Sequence, residues 1–141
     1  MKIKELTTEK EWQEAYKVMC QLRTHLDEAA YIDLVKEAVK VERYHLIAIY
    51  KEGEIVAVAG FKPMITLYYG RFVWVCDLVT DKQKRSKGYG EHLLSYIHQW
   101  AERYQFESVA LSSGLQRYSA HRFYEEKMDY TKVSFVFRKE I

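Results

Sequence analysis

The sequence predicts an α/β (α+β) fold in which a central mixed, mostly antiparallel sheet carries helices on both faces. Three observations point there. Apolar runs at residues 44–50, 55–64 and 72–80 read as strands. Stretches with apolar residues at i, i+3, i+4 and i+7 read as helices before and after them. No linker rich in Pro, Gly or Ser, no repeat and no composition break interrupts the 141 residues, so residues 1–141 are expected to form a single domain. A domain of that length buries roughly 70% of the surface its unfolded chain exposes, and needs neither a cysteine staple nor a metal clip.

The elements follow in order. Residues 1–6 alternate weakly and are expected to form a short edge strand. Thr8 and Glu11 have the spacing of a capping box, and Trp12, Ala15, Tyr16 and Met19 follow at helical spacing. Asp27 is placed to cap a second helix with Tyr31, Leu34, Val35, Ala38 and Val41 as its apolar stripe. Residues 44–50 and 55–64 read as two strands joined by the turn Lys51-Glu52-Gly53-Glu54. The nearly continuous apolar run 72–80 predicts a central strand covered on both faces. A polar segment at 81–87 then leads into a helix striped by Gly90, Leu93, Leu94, Ile97, Ala101 and Tyr104. A short strand at 108–111, a helix near 120–127 and a closing strand at 133–138 complete the expected order.

Composition narrows the function. Lys and Arg number 22 against 20 for Asp and Glu, a formal net charge of +2, so no nucleic-acid partner is expected. With 48% hydrophobic residues, one proline and six glycines, the chain is neither disordered nor of low complexity. Cys20 and Cys76 stand far apart in no C-x-x-C arrangement, which speaks against a disulfide framework and a zinc site. The five histidines show no metal-ligand spacing, and Ser112-Ser113-Gly114 is no nucleophile elbow. The first residues lack the apolar stretch of a signal peptide, and no run is long enough to span a bilayer. A cytoplasmic protein with no membrane partner and no metal is the expectation.

The stretch Lys82-Gln83-Lys84-Arg85-Ser86-Lys87-Gly88-Tyr89-Gly90 joins the central strand to the helix with the cleanest stripe. A helix N-terminus leaves backbone N–H groups without partners and carries about half a positive charge. Two glycines there clear the approach to those amides, and four cationic side chains surround them, which together make an anion site the size of a diphosphate. Read blandly, the same stretch is a solvated charge run before a helix. The Walker A pattern is absent, and a third glycine for a dinucleotide fingerprint is missing, which leaves ATP and NAD without support.

The loop Arg85-Ser86-Lys87-Gly88-Tyr89-Gly90 resembles the Q/R-x-x-G-x-G/A loop of the GNAT superfamily of acyl-CoA-dependent N-acetyltransferases. Asp77-Leu78-Val79-Thr80 resembles the end of that family's central strand. Downstream, residues 120–130 (AHRFYEEKMDY) are similar to its second signature, A-x-x-F-Y-x-x-x-G-F/Y. Two positions depart: Arg117 stands where many members carry Asn, and Asp129 where a glycine precedes the aromatic. The resemblance implies a GNAT-like fold and acetyl transfer from acetyl-CoA, as co-substrate, directly to the primary amine of a small molecule or peptide.

The same resemblance implies roles for individual residues. The amides and side chains of Arg85, Ser86, Lys87, Gly88, Tyr89 and Gly90 would hold the CoA pyrophosphate. Backbone amides of Leu78, Val79 and Thr80 would pair with the pantetheine arm, one of them polarising the thioester carbonyl. Tyr124 takes the place of the general acid that protonates the departing thiolate; otherwise Phe123 and Tyr124 are packing. Asp77 is the candidate base, or a carboxylate that caps a turn. Strand alternation puts Cys76 and Asp77 on opposite faces, so that one of them looks into the site. Cys76 reads as packing and His121 as a solvated side chain. Asp27 and Glu28 would attract a cationic acceptor or simply serve the helix start. Homodimers are common in the family, and an exposed sheet edge would allow one here. A CoA-binding sensor of the same fold without turnover is the alternative.

Overall fold

The computed structural model describes every residue from Met1 to Ile141, and the chain divides into two compact units, residues 1–110 and 111–141. One sheet organises the first unit. Its strands are β1 (Lys2–Leu6), β2 (His45–Lys51), β3 (Glu54–Thr66), β4 (Gly70–Thr80) and, at the unit boundary, β5 (Ser108–Leu111). They stand in sequence order, and β1 to β4 pair as antiparallel neighbours. The Glu107 amide donates to Arg71 O at 2.8 Å, so β5 starts beside the beginning of β4. To pair with β4 from that point, β5 must run in the same direction, which makes the sheet mixed. α3 (Tyr89–Arg103) supplies the crossover a parallel pair requires.

Alternation along the strands sends side chains to two helical layers. Leu46 and Ala48 of β2 join Val58 and Val79 in a buried cluster with Trp12, Ala15, Val18 and Met19 of α1 (Glu9–Met19) and Tyr31, Ile32 and Val35 of α2 (Glu28–Glu42). On the other face His45 and Phe61 pack against Trp100 of α3, each with ring centroids 5.1 Å from the indole. Two tyrosines of the first layer spend their hydroxyls on the backbone: Tyr31 donates to Trp12 O and Tyr16 to Leu26 O, both at 2.7 Å. α1 starts with the expected capping box, and Asp27 caps α2 by accepting from the Ala30 amide at 2.8 Å.

The stripe expected on α2 is out of phase with the buried face. Tyr31 and Val35 are buried, and Ile32 joins them, whereas Leu34 is 55% exposed and Val41 67%. Leu34 and Ala38 have another use, because they border a cavity described below.

In the second unit, α4 (Tyr118–Arg122) passes directly into one wide π turn, Phe123–Lys127. The expected closing strand at 133–138 is not formed: residues 131–141 have no regular structure, and Val133, Phe135 and Phe137 are 67% to 93% exposed. Alternating apolar residues mark strand propensity, but only ladder hydrogen bonds make a strand, and this segment belongs to no ladder of the sheet.

Candidate active site

The end of β4 leads straight into the loop singled out by the sequence. Asp81 caps a single 3₁₀ turn, Lys82–Lys84, by accepting from the Gln83 amide at 3.1 Å. Gln21, in the turn after α1, accepts from the Lys82 amide at 2.9 Å and so fixes the loop to the first helical layer. Ser86 and Gly88 both adopt positive φ, 67° and 78°, and Gly88 is the N-cap of α3. No side chain caps this helix, so its first amides keep their positive ends unspent. A Cβ on Gly88 would meet nothing closer than His92 at 4.0 Å; the glycine serves the left-handed backbone and leaves space over the helix end. Residues 82–88 are all exposed, their cationic side chains included.

Asp77 sits ten residues earlier in the chain than Lys87, and its surroundings were invisible in the sequence. β3 and β4 lose register between Gly60 and Phe61: Gly60 faces Asp77, Phe61 faces Val75, and Cys76 is the extra residue of a β-bulge. Strict alternation therefore fails here, and Cys76 and Asp77 both border one cavity of about 430 Å³, contrary to the expectation that only one would. Arg23 holds Asp77 Oδ1 through Nε at 2.9 Å and reaches Cys76 O at 2.7 Å. Tyr44 donates to Asp77 Oδ2 at 2.6 Å. Gly60 makes this cluster fit, since a Cβ there would overlap the Tyr44 hydroxyl and come within 2.7 Å of Asp77 Oδ2. Burial, reinforced by the Asp77 charge, holds the Tyr44 phenol well above its ordinary pKa, and burial likewise pushes the Cys76 thiol up to about 12. Neither Asp27 nor Glu28 borders this cavity.

The three residues that follow Asp77 have a defined backbone direction. The Asp81 amide donates to Val56 O of β3 at 2.8 Å. By strand alternation the Val79 amide also faces β3, and the Leu78 and Thr80 amides face the opposite edge of β4. β5 has four residues and starts beside Arg71, so it ends well short of Leu78.

In the second unit Tyr124 is buried at the π turn, its ring 5.5 Å from Phe123 and 5.9 Å from Tyr130. Burial raises the Tyr124 pKa, with the Arg117 charge opposing, so the phenol stays protonated at neutral pH. His121 is not merely solvated, because its Nε2 lies 2.8 Å from Gly114 O.

The GNAT acetyltransferase family model matches residues 7–130, nearly the whole chain. The chain belongs to the GNAT acetyltransferase family. It is 44% identical over 139 residues to the uncharacterized N-acetyltransferase YhdJ of Bacillus subtilis (strain 168), covering 99% of this chain and 98% of that protein. Among solved structures, the aminoglycoside N-acetyltransferase AAC(6')-Iy in complex with CoA superposes with a TM-score of 0.85 at 12% identity, over 99% of this chain and 95% of that one. A transcriptional regulator from Bacillus halodurans C-125 gives a TM-score of 0.86 at 21% identity, over 99% of each chain. At such identities the structural likeness carries the fold and nothing finer.

GNAT enzymes use acetyl-CoA, and membership makes this chain an acyl-CoA-dependent N-acetyltransferase acting on an amine-bearing acceptor. The departure at Asp129 has a physical explanation. Its φ is 62°, the left-handed conformation a glycine would adopt, and Asp is one of the few other residues that tolerate it. Sequence reasoning missed Arg23, Tyr44 and Gln21, whose partners lie in distant segments and leave no periodic trace.

Proposed function

We propose that residues 1–141 act as one acetyltransferase domain that moves the acetyl group of acetyl-CoA directly to a primary amine seated in the cavity beside Asp77. The observation that carries this is the order of parts along one strand and its exit. The Asp77 cavity comes first, then the Leu78 and Thr80 amides on the free edge of β4, then the uncapped N-terminus of α3 at Gly88.

In this reading the amides and cations of residues 85–90 hold the CoA diphosphate. The amides of Leu78 and Thr80 take the pantetheine arm, and one of them stabilises the oxyanion as the amine attacks. The new C–N bond forms and the C–S bond breaks, so CoA leaves as a thiolate. Tyr124, assigned from its place in the second signature, gives that thiolate its phenolic proton and recovers one from solvent. Asp77 accepts the proton of the nitrogen once it is bonded to the acyl carbon, when it is far more acidic than a free ammonium. A carboxylate has about four lone-pair sites, and the donors from Arg23 and Tyr44 leave room for that hydrogen bond.

The test is amine-dependent thiol release from acetyl-CoA with wild type and Tyr124→Phe. The variant is expected to lose about a hundredfold in kcat while CoA binding, read by calorimetry, is unchanged. Equal turnover by both proteins removes Tyr124 from the mechanism. Tight CoA binding with no release across all amines would favour a sensor.

A further inference from the structure

The cavity bordered by α1, α2 and β4 also says what kind of amine fits. Two carboxylates stand at it, and each is already neutralised. Asp77 is paired with Arg23 at 2.9 Å, and Glu42 with Lys62 at 2.6 Å. The ion pairs leave no net charge to hold a polycation. Of the other two acids that could have drawn one, Asp27 spends its carboxylate on the α2 cap, and neither Asp27 nor Glu28 borders the cavity.

Apart from His25 and the Tyr44 hydroxyl, which is given to Asp77, the rest of the wall is apolar. Leu26, Tyr31, Leu34 and Val35 border the same space, and the Tyr31 hydroxyl is turned to Trp12 O. Leu34 is the informative residue: of the exposed apolar side chains of α2, it borders the cavity whereas Val39 and Val41 do not, and at 55% exposure it offers apolar surface to a ligand there. A volume of about 430 Å³ suits a small molecule.

Resting on the acetyl-transfer reading above, we infer that the acceptor class is a monoamine carried on an apolar body, such as an alkyl- or aralkylamine, and not a polyamine or aminoglycoside. A net-neutral cavity does not favour the ammonium over the free amine, and the free amine is the form that attacks a thioester. Apolar contact along α2 supplies the affinity, and the Asp77 end receives the nitrogen.

Calorimetric titration of the CoA-bound protein with propyl-, butyl-, pentyl- and hexylamine, and with spermidine, tests this without requiring turnover. Affinity is expected to rise about three- to fourfold for each added methylene, since each buried CH₂ contributes about 0.8 kcal/mol. Spermidine is expected to bind more weakly than hexylamine. Leu34→Glu, a change at an exposed position that leaves the core intact, should weaken hexylamine about tenfold and strengthen spermidine. A flat alkyl series, or spermidine tighter than hexylamine in the wild type, overturns the inference. The two readings fail separately: the expected alkyl gradient with no thiol release from acetyl-CoA would sink acetyl transfer and leave the cavity assignment standing. Turnover confined to polyamines would do the reverse.

Discussion

Asp77, Arg23 and Tyr44 act as one unit, and the thiol beside them shows how dry that unit is. The cluster joins the turn after α1 to β2 and β4, with contacts of 2.6 to 2.9 Å across sequence separations of 33 and 54 residues. Removing Arg23 leaves a mostly buried carboxylate with one donor, so Arg23→Ala should cost about 1.5–3 kcal/mol in stability. A urea midpoint equal to wild type would contradict the geometry. Cys76 gives a second reading of the same environment. Its thiol is held up to about 12 by burial and by the Asp77 charge, so its thiolate is scarce at physiological pH. Alkylation of Cys76 by iodoacetamide, followed by mass spectrometry, should stay slow through pH 9 and accelerate only as pH climbs toward 12. Fast labelling at pH 8 would mean a wet or cationic pocket. Asp77 was legible in the sequence as a carboxylate on an apolar strand. Its partners were not, because tertiary contact alone brings Arg23 and Tyr44 to it.

Elements fixed by local chemistry were legible, and those fixed by partners were not. The capping box of α1 is of the first kind. Glu11 accepts from the Thr7 and Thr8 amides and pairs with Lys4, and its pKa falls from an ordinary 4.5 to about 2, with the Lys4 contact as the largest cause. A carboxyl depressed in the folded state contributes stability above its unfolded pKa and loses it as protons bind. Melting temperature should therefore drop between pH 4.5 and pH 2, and Glu11→Gln should flatten that part of the profile. Thr8→Ala should cost about 1 kcal/mol at neutral pH. A wild-type profile identical to that of the Gln variant would remove Glu11 from the account. The Asp27 cap was equally readable, for it too rests on neighbours in sequence, whereas the bounds of β5 at 108–111 were read correctly although that strand depends on β4 as its partner. The α2 stripe, the bulge at Cys76 and the segment at 133–138 were misread for one shared reason. Periodicity reports which residues can be buried or paired, and packing decides which of them are.

At the scale of the whole molecule, charge distribution bears on whether the proposed cofactor loop is distinct from a general affinity for polyanions. Lys82, Lys84, Arg85 and Lys87 carry four positive charges within one exposed loop, more than the formal net charge of +2, so the remaining residues sum to −2. The positive field is local and lies at the uncapped start of α3, where unpaired amides add to it. In the proposed reading, part of the attraction for the CoA diphosphate is a long-range effect of exposed charge, which salt screens over about 10 Å, and part is short-range hydrogen bonding to amides, which salt hardly touches. The two parts can be separated. Lys84→Gln combined with Lys87→Gln should weaken CoA binding about fivefold at low ionic strength, each exposed contact contributing a fraction of 1 kcal/mol. The same double variant should show a shallower loss of CoA affinity as KCl is raised. Pantetheine, which lacks the diphosphate, should bind both proteins alike, and both should melt together because the changed side chains are exposed. Unchanged CoA affinity and salt slope in the double variant would mean that amides alone hold the diphosphate, and that the cluster serves another end. A parallel loss for pantetheine would instead place the effect in the fold of the loop. Only loss confined to the phosphate-bearing ligand, with a flattened salt response, ties the local charge of this loop to acetyl-CoA.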